Sequence, residues 1–323
     1  MTTLDCVVVG GGQAGLATGY YLKKFGVDFV ILDDAEAPGG SWRHAWDTLT
    51  LFSPASASNL PGLPMPRVDG FPPASHVIDY LTQYERHYDL PVRHGVRVDR
   101  VDYAEDTGLY SVGGYTARAV VGATGTWSTP FIPAYPGSFP GRQWHTKTYP
   151  GSSPFHGASV SVVGGANSGA QIAADLLLDD AVGDVTWYTR GAPRWMPDDV
   201  DGRVLFRRNR ERLNAMLRGE EDPGSKSELG DIVVVPPVKK ARDAGLLIST
   251  PMFDSLDEVQ TDHLIWCTGF RPTLGPFRHV RDTPRLYLVG YGTWTGPGSA
   301  TITGVAPFAK RTAQEIRDYL TTV

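Results

Sequence analysis

Cysteine is scarce. The 323-residue chain has two, Cys6 and Cys267, with no Cys-x-x-Cys pair and no Cys/His cluster. This argues against a redox dithiol, a disulfide framework and a structural zinc site, so no metal is expected. Charge of one sign is also lacking: 30 Lys+Arg against 35 Asp+Glu leave a net charge of -5, without long like-charge runs. A polyanion-binding surface, and hence a nucleic-acid partner, is not expected. No apolar run approaches the ~20 residues of a membrane span. No basic segment precedes the first apolar run, so neither a membrane association nor a signal peptide is expected, and the reading is cytoplasmic. What the chain does have is 41% hydrophobic and only 20% charged residues, enough for sizeable cores and unlike a disordered polymer. At ~150 residues per domain the length suggests about two domains.

Two stretches share one grammar. Residues 6–9 form a short apolar run, followed by Gly10-Gly-Gly-Gln-Ala-Gly15, a helical pattern over 16–25 ending at Gly26, and a second run at 29–32 ending in Asp33-Asp34. The pattern returns as 160–163, Gly164-Gly-Ala-Asn-Ser-Gly169, a helix over 170–178 and a run at 185–188 ending in Thr189-Arg190. Each is a strand–glycine turn–helix–strand unit, the opening of a parallel α/β domain. A Gly/Pro-rich zone over 125–157 reads as the connection between them. Residues 203–218 read as an Arg-rich helix with a solvated face, 263–267 and 286–289 as strands, and about 301–320 as a last helix. The expected fold is α/β with two Rossmann-like three-layer domains. The first comprises 1–145 with 262–323, and the second, 146–261, is inserted within it.

The first cluster fits Gly-x-Gly-x-x-Gly at Gly10, Gly12 and Gly15. The first glycine permits the tight turn, the second lets the backbone approach a pyrophosphate, and the third lets helix and strand pack closely. Unpaired N–H groups at the helix start then face the phosphates. Asp33 lies 23 residues beyond Gly10, close to the ~20 expected of an acid that accepts ribose hydroxyls. The second cluster carries Ala166 at its middle position, and its following strand ends in Arg190 rather than an acid. A guanidinium there suits a 2′-phosphate and favours NADPH over NADH; Arg194 is an alternative. Two dinucleotide sites in one chain imply a nicotinamide that reduces a bound flavin. Gly39-Gly-Ser-Trp42, Ala123-Thr-Gly125 and Cys267-Thr-Gly269 close apolar runs with turns that expose backbone. The stretch from Gly298 to Gly304 leads into the last helix, whose N–H groups would face negative charge on a reduced flavin.

In the connecting zone the sequence reads Phe139-Pro-Gly141-Arg-Gln-Trp-His145-Thr-Lys-Thr-Tyr149. This matches Phe-x-Gly-x-x-x-His-x-x-x-(Tyr/Phe), and with both glycine turns the chain resembles the class B flavin-containing monooxygenases along essentially its whole length. The stretches 47–54, 198–206, 266–272 and 294–300 resemble more specifically the short ArsO-like flavoprotein monooxygenases associated with arsenic resistance. The resemblance implies FAD in the first domain, at Gly10, Gly12, Gln13, Ala14, Gly15 and Asp33. It adds Gly40, Ser41, Trp42, Val98, Ala123, Thr124, Gly125, Thr301 and Ile302. It implies NADPH in the second domain, at Gly164, Gly165, Asn167, Ser168, Gly169 and Arg190. In the family's chemistry, hydride passes from NADPH to FAD, O2 adds at flavin C4a, and the peroxide oxygenates a small soft nucleophile or a ketone. His145 is then a structural hydrogen-bonder that helps join the domains rather than a general base. Larger members carry an asparagine beside the flavin where this chain reads Phe52-Ser53-Pro54, so Phe52, Ser53 and Asn59 are the candidates for the flavin and substrate side. Two other readings stay open: an NADPH oxidase or NADPH:flavin oxidoreductase that releases H2O2, and a nucleotide-binding redox sensor. Partners are a small-molecule substrate and O2, with a homodimer left open.

Overall fold

A computed structural model describes residues 3–224 and 231–322. Strand β1 (Thr3–Val9) enters helix α1 (Gln13–Lys24) through the first glycine turn, and the chain returns in β2 (Phe29–Leu32). Helix α2 (Ala74–His87) follows a long loop and leads to the short strand β3 (Val92–Arg93). Strands β4 (Val101–Ala104), β5 (Leu109–Val112) and β6 (Tyr115–Gly122) form an antiparallel meander. The sheet runs β3-β2-β1-β6-β5-β4, and β12 (Leu286–Leu288) lies parallel to the end of β6. Helix α6 (Ala306–Thr322) packs on α1. β1 is apolar throughout its second half because both faces are covered, as parallel strands require. Cys6 and Val8 face the core beneath α1 and α6, whereas Val7 and Val9 face Val101, Tyr110 and Val112 of the meander.

The second unit repeats the opening: β8 (Val160–Val163), α3 (Asn167–Leu177) and β9 (Val185–Thr189). It adds α4 (Arg203–Arg218), α5 (Pro236–Asp243) and β10 (Ser249–Pro251). Its five-stranded sheet, ordered β10-β9-β8-β11-β7, is parallel throughout and recruits β7 (Arg142–His145) and β11 (His263–Trp266). The expected boundaries at 145/146 and 261/262 therefore differ from the sheet membership, because β7 and β11 both belong to the second sheet. The chain crosses between units before Arg142 and after Trp266. The two crossings run side by side and are hydrogen-bonded, Phe131 N–H to Gly269 O at 2.9 Å and Thr273 N–H to Gly125 O at 2.9 Å. A loop of the first unit also docks on the second: Trp46 joins the core under α3, and Thr48 Oγ1 donates to Asp175 Oδ1 at 2.8 Å.

Three helix starts differ from expectation. α1 and α3 begin three residues earlier than the patterns at 16 and 170, directly at the glycine turns, because extended Gly12 and Ala166 serve as N-caps. The last helix begins at Ala306, after a turn through 301–305, rather than near 301. Among the described residues, no helix is long and apolar enough to cross a membrane.

Candidate active site

Each glycine turn is fixed by the same pair of steric conflicts. Gly10 has φ +110°, and a Cβ there would lie 2.4 Å from Ala123 O; Gly164 has φ +142°, and a Cβ would lie 2.4 Å from Cys267 O. A Cβ on Gly15 would sit 1.8 Å from Gly10 O, and one on Gly169 would sit 1.9 Å from Gly164 O. Only glycine satisfies these four positions without moving backbone. Gly12 is different. A Cβ there meets no protein atom within 4 Å, so what its missing side chain leaves clear is room for a ligand.

The open space lies in a cleft of about 790 Å³ that begins beside Asp33 and Val98. It passes Gly10, Gly12, Gln13 and Ala14 under the loop that carries Gly40, Ser41 and Trp42. Gln13 ties that loop across the cleft, accepting from Trp42 Nε1 at 3.1 Å and donating to Ala300 O at 2.5 Å. Ala123, Thr124 and Gly125 line the opposite wall. The Thr124 hydroxyl is spent inside the protein, donating to Thr273 O and accepting from Tyr291 OH, both at 2.7 Å. At the far end Lys147 of the second unit and Phe270 of the returning crossing close the cleft, with Phe270 stacked on Trp127 at 5.1 Å and Trp127 on His44 at 6.2 Å.

Asp33 is buried at the end of β2. Its Oδ1 accepts from Gly11 N–H at 3.0 Å, while its Oδ2 is buried with no hydrogen-bond partner. Burial raises the carboxyl pKa, opposed by the Gly11 hydrogen bond. A buried, unspent carboxylate oxygen at the mouth of a glycine cradle fits the adenosine ribose of a dinucleotide.

Several candidates lie elsewhere. Phe52, Ser53 and Asn59 do not line the cleft: Phe52 packs on Phe206 and Gly202, and Ser53 Oγ pairs with Ser58 Oγ at 2.9 Å. Asn59 accepts from Met65 N–H at 2.6 Å and donates to Ser56 O at 2.9 Å, holding its own loop. Thr301 Oγ1 bonds Gly298 O at 2.8 Å, and Ile302 is buried in the first core, so Ala300 presents the cleft wall instead. In the second turn the Asn167 side chain bridges Asp231 O at 3.2 Å and Val233 N–H at 2.9 Å, fastening the strand-like segment beside α3 rather than facing outward. Gly165 and Ser168 remain at the turn. Arg190 is exposed at the end of β9 and makes no hydrogen bond or ion pair among the described residues, whereas Arg194 pairs with Asp231 at 3.2 Å.

The linker motif is a structural splice. A Cβ on Gly141 would lie 2.3 Å from Asp262 O, and Phe139 packs against the small core that contains Leu264 and Trp266 of β11. Tyr149 OH donates to Asp175 Oδ2 at 2.6 Å beneath Trp46, and burial raises its pKa. His145 Nδ1 accepts from Lys147 N–H at 3.1 Å, which leaves Nε2 to donate to Gly269 O at 3.0 Å. This is the neutral ring, and burial lowers the His145 pKa. Below the ordinary value of about 6.5 the unfolded chain takes up a proton that the folded chain resists. The stability contribution is therefore complete above that pH and falls as pH drops toward the lower folded value. Thermal melts from about pH 7.5 to 5.5 should show a larger loss for wild type than for His145→Asn, which keeps the acceptor but cannot titrate.

Residues that the sequence patterns passed over are Gly11, whose Cβ would meet Asp33 Cβ at 2.8 Å, and the far wall of Trp127, Lys147 and Phe270. The signal that could have found Trp127 and Phe270 is their place just after the parallel turns Ala123-Thr-Gly125 and Cys267-Thr-Gly269.

A family model described as pyridine nucleotide-disulphide oxidoreductase matches residues 7–285. The chain belongs to this family. Among solved structures, a flavin-containing monooxygenase from Stenotrophomonas maltophilia is 38% identical, with 99% of this chain and 100% of that one covered and a TM-score of 0.87. An uncharacterized CzcO-like oxidoreductase from Geobacillus kaustophilus is 29% identical over 98% of this chain and 99% of its own length. A bacillithiol disulfide reductase from Staphylococcus aureus shares the fold at a TM-score of 0.73 and 16% identity. The chain is an enzyme, a flavoprotein monooxygenase that takes FAD and a pyridine nucleotide as cofactors. Its two cysteines are free and buried, and burial raises both thiol pKa values, that of Cys267 to about 12. Unlike a disulfide reductase, it presents no thiolate to the cleft.

Proposed function

We propose that NADPH, held at the second glycine turn, reduces FAD lying in the cleft, and that O2 then oxygenates a small soft nucleophile or a ketone. One observation carries this reading: a single cleft begins at the first nucleotide turn and ends against Lys147 of the unit that carries the second, with Phe270 of the returning crossing beside it. Bound there, FAD would supply both hydride acceptance and oxygen activation. Gly10, Gly12 and the start of α1 would hold its pyrophosphate, and Asp33 its ribose. His44, Trp127 and Phe270 would exclude water from the far end.

Arg190 would hold the 2′-phosphate through charge-assisted hydrogen bonds. Arg190→Ala is expected to raise KM for NADPH by roughly 10–100-fold and to change KM for NADH little. Equal effects on both would remove Arg190 from this role.

The test of function is a panel of thioethers, amines, ketones and organoarsenicals, measuring substrate-stimulated NADPH consumption, oxygenated product and H2O2 together. Product matching NADPH one to one supports the reading. H2O2 matching it with every substrate supports the oxidase, a second reading favoured because Ser53 and Asn59, the candidates for the flavin side, spend their polar atoms within their own loop. An enzyme that binds both nucleotides and consumes no NADPH would be the redox sensor. The arsenical arm follows from the sequence resemblance, and the relatives named above carry other names. A cytoplasmic location suits a supply of NADPH.

A further inference from the structure

We propose that His94 is a positioning residue that holds Asp33 for the adenosine ribose; the proposal rests on the reading of the cleft as an FAD site. His94 follows β3 and is clamped beside Asp33 by backbone on either side. Asp33 N–H donates to Arg93 O at 3.0 Å, and Val96 N–H donates to Asp33 O at 2.8 Å. The backbone that carries the imidazole is therefore held beside the carboxylate.

Behind it, His94 Nε2 lies 3.2 Å from each oxygen of Glu85 on α2, which makes Nε2 a donor. In front, His94 Nδ1 lies 3.4 Å from Asp33 Oδ2, yet neither atom completes a hydrogen bond, and both are buried. Two bare lone pairs at that distance would repel, so the contact is attractive only with a proton on one of the two atoms. With Oδ1 fixed by Gly11 and Oδ2 backed by His94, the carboxylate plane is set from both ends. Asp33 lines the cleft wall, so the orientation of its carboxylate there is set from behind. His94 does not line the cleft, so it acts through Asp33 and not on the cofactor.

The two ring nitrogens can be separated by substitution. Asparagine at 94 places a donor near the Nδ1 position and loses Glu85; glutamine reaches the Nε2 position and loses Asp33. FAD affinity of the apoprotein, followed by quenching of flavin fluorescence, is expected to fall roughly tenfold in His94→Gln, the scale of one hydrogen bond to a charged group, and to stay near wild type in His94→Asn. Adding His94→Gln to Asp33→Asn should cost nothing further, since the partner it positions is already altered. Equal losses in the two His94 variants, additive losses with Asp33→Asn, or a His94→Gln chain that unfolds would assign His94 to the fold and overturn the proposal. Wild-type apoprotein that fails to take up FAD would overturn the cofactor reading as well, which sets that failure apart.

Discussion

Gly15→Ala is expected to purify colourless. The new methyl carbon would lie 1.8 Å from Gly10 O, and a backbone atom cannot rotate away as a side-chain tip can. The turn must open, which displaces the N–H groups that face the phosphates and the floor on which they rest. A core overpacked by one methyl typically costs 1–3 kcal/mol and more against rigid backbone, so FAD affinity should fall by more than about 100-fold. Gly12→Ala separates the two roles of glycine in this turn. It meets no protein atom within 4 Å, so it should melt at the wild-type temperature while still losing the cofactor, because its methyl occupies the ligand's space. Gly15→Ala should lose both cofactor and melting temperature. Visible flavin absorbance after purification, and thermal melts of the apoproteins, read the difference. If Gly15→Ala retains full flavin, the cleft is not the FAD site.

Gly169→Ala is the matching experiment at the second turn, with the opposite appearance. Its Cβ would fall 1.9 Å from Gly164 O, the same conflict in the other sheet. The protein should purify yellow, since the first cleft is untouched, and should be reduced normally by dithionite. Bleaching of the flavin by NADPH should slow by more than about 100-fold, the consequence of the same backbone clash at the nicotinamide nucleotide's turn. A variant that is yellow and still bleaches at the wild-type rate would mean that NADPH binds elsewhere. One that is colourless would mean that the two units do not bind their nucleotides independently.

Much of this fold was legible in the sequence because parallel strands buried on both faces are nearly all apolar, as 6–9 is and 160–163 is apart from Ser161, and because the glycine turns are dictated by hard contacts. Those signals are local. The assignments that required distant partners fared differently. That 263–266 pairs with both 142–145 and 160–163 is a matter of register across more than a hundred residues, and the Gly/Pro composition around β7 masked a four-residue strand. The last helix could not be started correctly from pattern alone, since the small polar residues at 298–304 suit a turn as readily as a first helical turn. Asn59 and Asn167 show a further limit. An asparagine near a site satisfies a loop as well as it satisfies a ligand, and here both close loops. His94 and Lys147 are single side chains that topology delivers to the site, with no periodicity to announce them.

The paired crossings between the units also bear on how this enzyme can be divided and recombined. A fragment spanning 146–261 would lack both β7 and β11, leaving β8 as an unpaired apolar edge prone to association with other chains. Cuts at about 132 and 268 instead remove the insert as a whole sheet. They leave Phe131 and Gly269 within a single hydrogen bond of each other, near enough for a brief glycine bridge to close the remaining flavin-binding body into one chain. The second unit is thus a cassette with adjoining ends, and reductase halves of different coenzyme preference could be exchanged there without rethreading the first.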